Sequence, residues 1–261
     1  MKLLATARFT DTVVRLGRLA QVNPTGLPEV AFVGRSNAGK SSCINLICNR
    51  RRLAFSSRTP GRTQALNYFA VGVDPAQAPV GFLVDTPGYG FAAAAPEAKR
   101  SWQSLAGDYI RSRKPLVGVV LMLDSRRRLT ELDRQLLAWT PPQLAQVIVL
   151  TKADKLSRQQ LRESLRDVAG DPVLAQRSGG VLVLPFSVLS RMGVEPLQQA
   201  VESLLTGTAT DWEGIAERHD GLPLGWRPPQ PGGGADDPSN APVAHPPGPD
   251  ESTAHRLEPY Q

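Results

Sequence analysis

The sequence predicts an α/β domain, a mostly parallel six-stranded sheet with helices on both faces. Three observations lead there. Continuous apolar runs of strand length recur through residues 25–205, as at residues 116–123 and 147–150. Segments with apolar residues at helical spacing lie between them. A glycine-rich loop joins the first run to the first helix. Strands that are apolar at every residue have no water-facing side, so helices must cover both faces of the sheet.

The elements follow in order. Residues 29–33 form a short apolar strand that ends in the glycine loop, and residues 45–49 continue a helix begun at that loop. Residues 67–73 and 80–84 read as two strands joined by a proline-containing turn. Residues 99–113 have helical spacing, with Trp102, Leu105, Tyr109 and Ile110 on or near one face. A strand at 116–123 precedes a helix at 130–139, and a strand at 147–150 precedes a helix at 157–168. The last strand is 181–186 and the last helix 195–205. In such a sheet the ligand binds outside the carboxyl ends of the strands.

Charge divides the chain. Residues 206–261 hold nine acidic and three basic residues, a net of −6, which leaves +12 on residues 1–205. The acidic segment is rich in proline and glycine and buries little apolar surface, so we expect a disordered tail over 206–261. Residues 1–24 are expected to be a helical or extended lead-in, and residues 25–205 the folded domain. A basic domain of this kind suits a polyanionic partner such as RNA or a ribonucleoprotein. Three basic clusters, Arg50-Arg51-Arg52, residues 111–114 and Arg126-Arg127-Arg128, are candidates for phosphate contact, although such runs are as often only solvated charge. No apolar run is long enough to span a bilayer or serve as a signal peptide, and the cysteines Cys43 and Cys48 lie in one predicted helix on different faces. Both features fit a cytoplasmic protein without disulfides.

Gly34-Arg35-Ser36-Asn37-Ala38-Gly39-Lys40-Ser41 satisfies G-x-x-x-x-G-K-[ST] between a strand and a helix. Glycines let the backbone wrap a phosphate with its N–H groups turned inward, and the helix that opens there adds its positive dipole end. Lys40 should reach the β and γ phosphates and Ser41 should ligate Mg²⁺. Asp85-Thr86-Pro87-Gly88 closes a strand some forty residues later, where a carboxylate holds magnesium and a glycine N–H senses the γ-phosphate. Thr151-Lys152-Ala153-Asp154 follows the strand at 147–150. A carboxylate there accepts from N1–H and the adjacent exocyclic amine of guanine, whereas adenine has an unprotonated N1 and no amine at that position, so the pattern selects GTP and GDP. Lys152 would lay its stem along the base. The usual motif begins with Asn, and Thr151 departs from it. Ser187 sits where a second base-contacting loop is expected.

With these motifs in order, the chain resembles the EngB family of Era-like (TrmE-Era-EngA-EngB-Septin-like) GTPases, a branch of the Ras-like P-loop NTPases. The wording of residues 34–42, Thr59-Pro60-Gly61-Arg62-Thr63-Gln64, Asp85-Thr86-Pro87-Gly88-Tyr89-Gly90 and residues 151–154 carries the likeness, which spans about residues 5–205. The resemblance implies a Mg²⁺- and GTP-dependent switch in cell division and septation, with large ribosomal subunit assembly as its task and a ribosomal precursor or rRNA as partner. Carried over by position, Gly61, Arg62, Thr63, Gln64 and Ala65 form the switch I contact. Thr63 is the second Mg²⁺ ligand beside Ser41, with Thr59 as its rival. Phe186-Ser187-Val188 is the fifth loop, in which Val188 replaces a smaller residue.

Hydrolysis is expected to be slow, because Tyr89 stands where a glutamine often orients the attacking water, and no residue is a convincing general base. A potassium ion held by Asn37 would supply the missing charge, while a tight turn explains Asn37 equally well. Two rivals remain. An ATP-dependent P-loop kinase leaves residues 151–154 unexplained. A ribosome- or RNA-binding assembly factor with incidental turnover differs in whether the GTP form binds particles better. Nothing in the sequence demands more than a monomer.

Overall fold

The computed structural model describes residues 3–55, 65–72, 78–90, 103–175, 177–209, 211–219 and 221–224. Among these, eight strands form a single sheet. They are β1 (Arg8–Val13), β2 (Glu29–Gly34), β3 (Leu66–Val71), β4 (Gly81–Asp85), β5 (Leu116–Asp124), β6 (Ala145–Thr151), β7 (Val181–Pro185) and β8 (Leu222–Leu224), in the order β1-β3-β4-β2-β5-β6-β7-β8. The pairings β4–β2, β2–β5, β5–β6 and β6–β7 are parallel, and the outer ones are antiparallel.

The helices are α1 (Leu19–Val22), α2 (Lys40–Ile47), α3 (Asp108–Ser112), α4 (Glu131–Trp139), α5 (Arg158–Ala169), α6 (Pro172–Ala175), α7 (Val194–Thr206) and α8 (Trp212–Arg218). A π-helical turn, Gln103–Gly107, leads into α3. Of the helix expected at 99–113, residues 99–102 and the Trp102 side chain lie outside the described residues, and Leu105, Tyr109 and Ile110 are buried. Capping boxes at Thr130 and Ser157 fix the starts of α4 and α5.

The alternate residues of β2, β4 and β5 feed two cores, one on each face. Val30, Phe32, Leu83 and Val120 pack with Ile44, Leu197 and Val201 of α2 and α7. Ala31, Val33, Val84 and Leu121 pack with Tyr109, Leu136 and Leu165 on the other face. The all-apolar strands therefore sit where burial on both faces requires them. Cys43 and Cys48 are free thiols buried in the α2 face, contrary to the expectation of different faces. Burial pushes the Cys48 thiol up to about 12 and Cys43 well above its usual range.

Two further expectations are corrected. The sheet has eight strands rather than six, the additions being its edges. β1 reads Arg-Phe-Thr-Asp-Thr-Val with mixed exposure, and β8 reads Leu-Pro-Leu. Edge strands need only one burial face and tolerate proline, so neither shows the apolar run that marks a central strand. The second correction is where folding stops. Residues 211–224 fall within the expected tail, yet α8 buries Trp212, Ile215 and Ala216 in the core and β8 pairs with β7. The spacing of those three residues is a helical stripe, and the Asp211 side chain accepts from the Gly214 N–H to start the turn. Residues 225–261 lie outside the described residues.

Candidate nucleotide site

The parallel strands β4, β2, β5, β6 and β7 all end on one edge of the sheet, and the chain leaves β2 on both sides to build its neighbours. The crevice at that reversal gathers the loops singled out in the sequence. Residues 34–41 follow β2, residues 85–88 close β4, residues 151–154 close β6, and residues 186–188 follow β7.

The phosphate loop carries the backbone that its sequence implies. Gly39 has φ +97° and Asn37 has φ +63°, both in the left-handed region, and Asn37 is exposed. Asn tolerates that conformation better than most residues, which supports the tight-turn explanation of Asn37. Ala38 N–H donates to Arg35 O at 3.0 Å and closes the turn. Lys40, buried at the start of α2, directs Nζ to Gly34 O at 3.4 Å. Burial lowers its pKa, and Asp85 opposes that shift.

Asp85 ends β4 beside the loop. Its Oδ2 accepts from the Ser41 hydroxyl at 3.1 Å, while its buried Oδ1 has no hydrogen-bond partner. Burial raises the Asp85 pKa against the opposing pull of Lys40 and Ser41. A buried carboxylate oxygen without a partner, next to a serine hydroxyl and a lysine, fits a hard divalent cation with oxygen ligands. Ser41 and Asp85 are the described residues that can hold it. Among the described residues, no cluster of three or more His, Cys, Asp or Glu forms a metal site of another kind.

Thr86 N–H and hydroxyl both donate to Phe32 O, at 3.1 and 2.9 Å, and so fix the turn after β4. Gly88 lies so close to the phosphate loop that a Cβ there would meet Ser36 Cα and N at 2.9 Å and Lys40 Nζ at 3.2 Å. Only glycine allows that approach. Tyr89 is turned away from the loop mouth. Its ring is buried and its hydroxyl donates to Asp133 Oδ1 at 2.6 Å, so it cannot orient a water as a glutamine does.

At the base-reading end, Thr151 does not present its side chain to the crevice. It is buried, and its hydroxyl donates to Leu123 O at 2.8 Å, which ties β6 to β5. Lys152 takes φ +60° and its Nζ donates to Asp124 Oδ2 at 2.9 Å. Ala153 N–H donates to Phe186 O at 3.1 Å and joins the two base loops. Asp154 accepts the Ser187 hydroxyl at 2.6 Å and pairs with Lys155. Those contacts, Ser187 first, lower the Asp154 pKa and keep its carboxylate ionised. Ser187 Oγ also accepts from the N–H groups of Leu189 and Ser190 at 3.2 Å, so its side chain organises the loop. Val188 is exposed beside it.

Of the expected switch I residues, Gly61, Arg62, Thr63 and Gln64 lie outside the described residues, as does Thr59, and only Ala65 is placed, buried just before β3. Sequence reasoning missed three supporting side chains: Asp124, which holds Lys152, Asp133, which holds Tyr89, and the anchoring role of Ser187. An aspartate at the end of the apolar run of β5 was the one local signal available for Asp124.

A phosphate loop, an acidic strand end and a guanine-type loop on one sheet edge define a P-loop nucleotide-binding protein of the GTPase class. Comparison with known proteins agrees. The family model described as "50S ribosome-binding GTPase" matches residues 29–152. A relative in Ralstonia nicotianae named "Probable GTP-binding protein EngB" is 47% identical over 210 residues, covering 78% of this chain and 88% of that one. A relative of the same name in Burkholderia vietnamiensis is 46% identical over 217 residues, covering 81% and 96%. Among solved structures, Era from Aquifex aeolicus bound to GDP·AlF4⁻ superposes with a TM-score of 0.52 at 19% identity, covering 69% of this chain and 56% of that one, a likeness of fold. The chain belongs to the EngB family of GTP-binding proteins and is a GTP-hydrolysing enzyme.

Proposed function

We propose that this protein is a magnesium-dependent GTP switch that acts in large ribosomal subunit assembly and, through it, in cell division and septation. GTP lies along residues 34–41, with its base between Lys152 and residues 186–188 and its guanine edge on Asp154. Ser41 and Asp85, with Thr63 of switch I as the expected further ligand, would hold the cation, which would offset charge on the phosphates. The rest is positioning by the chain itself. Backbone N–H groups of the loop and Lys40 bind the phosphates, and Gly88 closes over the γ end. No side chain described at the loop mouth is placed to take a proton from water, which supports slow intrinsic turnover. The observation that carries the nucleotide reading is the ionised Asp154 fixed by Ser187 at 2.6 Å.

The ribosomal partner is supported by the description of the matching family as 50S ribosome-binding and by the charge of residues 1–205. The basic clusters are not equivalent. Arg111 pairs with Asp108 and stacks on Trp139, Arg113 is bound by buried Glu29, Arg126 by Asp124 and Arg128 by Asp167. Arg50, Arg51 and Arg52 are exposed and form no ion pair among the described residues, and Phe55 beside them is 76% exposed. Unneutralised guanidinium groups next to an exposed aromatic suit RNA phosphates and bases. The protein works as a cytoplasmic monomer. No helix among the described residues is long and apolar enough to cross a membrane.

Sedimentation of the GTP- and GDP-loaded protein with large ribosomal particles tests the switch. Stronger binding of the GTP form is expected, and equal binding would return hydrolysis to an incidental role. Replacing Arg50, Arg51 and Arg52 with Gln is expected to weaken binding and flatten its salt dependence, whereas Arg126→Gln with Arg128→Gln is expected to change neither. Indifference to the first triple replacement would remove this cluster from the interface.

A further inference from the structure

Tyr89 lies between Gly88 and Gly90 and is held from several directions at the loop mouth. Its backbone is bonded to the phosphate loop on both sides. Its N–H donates to Gly34 O at 3.3 Å, and its carbonyl accepts Ser36 N–H at 2.9 Å. Its side chain runs the other way and enters the core between the loop and α4, where the hydroxyl donates to Asp133 Oδ1 at 2.6 Å. Burial, then the nearby Asp133, pushes the phenol well above its usual pKa, so it stays a donor.

Asp133 is 1% exposed and divides its carboxylate between two tasks. Oδ2 accepts the Thr130 N–H at 2.7 Å and the Thr130 hydroxyl at 2.6 Å, which closes the capping box of α4. Oδ1 is left for Tyr89. Helix capping needs only one of these oxygens, so the cap alone does not account for a buried tyrosine aimed at the other. The consequence lies upstream, because the two backbone bonds of the next residue hold Gly88 so near the phosphate loop that a Cβ on it would come within 2.9 Å of Ser36.

We propose that Tyr89 and Asp133 are positioning residues for the GTP reaction. Their bond anchors the segment 88–89 on the rigid start of α4, so the Gly88 N–H is presented at the phosphate loop in fixed geometry. GDP has no γ-phosphate and does not use that geometry, whereas GTP does. A group held in place before the substrate arrives contributes to the rate because little reorganisation remains. The proposal rests on the nucleotide placement given above.

The test is Tyr89→Phe, which removes one hydroxyl and keeps the ring. The latch predicts that kcat/KM for GTP falls about tenfold and that affinity for a non-hydrolysable GTP analogue falls with it, while GDP affinity stays within about twofold. In an Asp133→Asn background the added effect of Tyr89→Phe should shrink, because the two act as one unit. Thr130→Ala, which weakens the cap of α4 but leaves the tyrosine contact, should lower the melting temperature and leave the GTP-to-GDP affinity ratio unchanged. An unaltered ratio and rate in Tyr89→Phe would overturn the latch. So would an equal loss in Thr130→Ala, since the effect would then be helix stability alone. Failure of the native chain to bind GDP or to prefer guanine would instead overturn the nucleotide placement, so the two failures are distinguishable.

Discussion

Two buried carboxylates lie on adjacent strands, Glu29 at the start of β2 and Asp85 at the end of β4, and they are treated in opposite ways. Glu29, with no exposed surface, receives the Asn23 amide at 2.7 Å, the Tyr68 and Tyr109 hydroxyls at 3.1 and 2.8 Å, and the Arg113 guanidinium. Both of its oxygens are satisfied from elements that meet at the amino end of the sheet. Asp85 is also buried but has one oxygen without a partner and is pushed toward its neutral form. The first arrangement uses charge to lock β2, β3 and α3 together. The second keeps a carboxylate short of partners at the edge where the loops converge, a cost that the proposed cation and nucleotide would offset.

Arg113→Ala is expected to have the largest effect. It leaves Glu29 buried without its counter-charge and should cost roughly 3–5 kcal/mol of stability in urea unfolding. A loss below about 1 kcal/mol would show that the amino-end network is not a lock. Asp85→Asn should do the reverse. Because its folded pKa is raised, the carboxylate destabilises the nucleotide-free protein above the ordinary carboxylate value, and that penalty grows as pH rises. The variant should therefore melt higher at neutral pH and bind GTP at least about tenfold more weakly with Mg²⁺. A lower melting temperature would contradict this account of the orphan oxygen.

Within the nucleotide edge, Asp154→Ala should reduce the preference for GTP over ATP by roughly 5- to 100-fold, as expected for losing a bidentate base contact. Competition binding measures it, and an unchanged preference would move base recognition elsewhere. Ser187→Ala removes only the group that orients that carboxylate, so a few-fold loss of GDP affinity is expected. The smallest effect concerns acid. Asp124 is held well below the usual carboxylate range, first by Arg126, and Asp154 is lowered by Ser187. A depressed folded pKa gives stability that is present above the ordinary value near 3.8 and is lost as pH falls through the lower folded value. Asp124→Asn should flatten that acid limb by less than about 1 kcal/mol, because Arg126 is half exposed and solvent screens the pair.

Legibility in the sequence followed locality. The phosphate loop, residues 85–88 and residues 151–154 each act through a few adjacent residues whose backbone course their own composition sets, so spacing was enough to find them. The central strands were legible because burial on both faces leaves an unbroken apolar run. The edge strands β1 and β8 were not, since one-sided burial leaves no such run, and the stripe of Trp212, Ile215 and Ala216 was hidden by proline and glycine downstream.

The chain by itself therefore determined the class of fold and the order of the site loops, because each rests on local backbone geometry and on hydrophobic periodicity. Only the tertiary structure decided which side chains hold those loops. Tyr89 and Asp133 are 44 residues apart, Asp154 and Ser187 33, Asp124 and Lys152 28. These pairs form because parallel strand order brings their loops to one edge, and no spacing along the chain encodes a contact that depends on how separate strands are laid side by side.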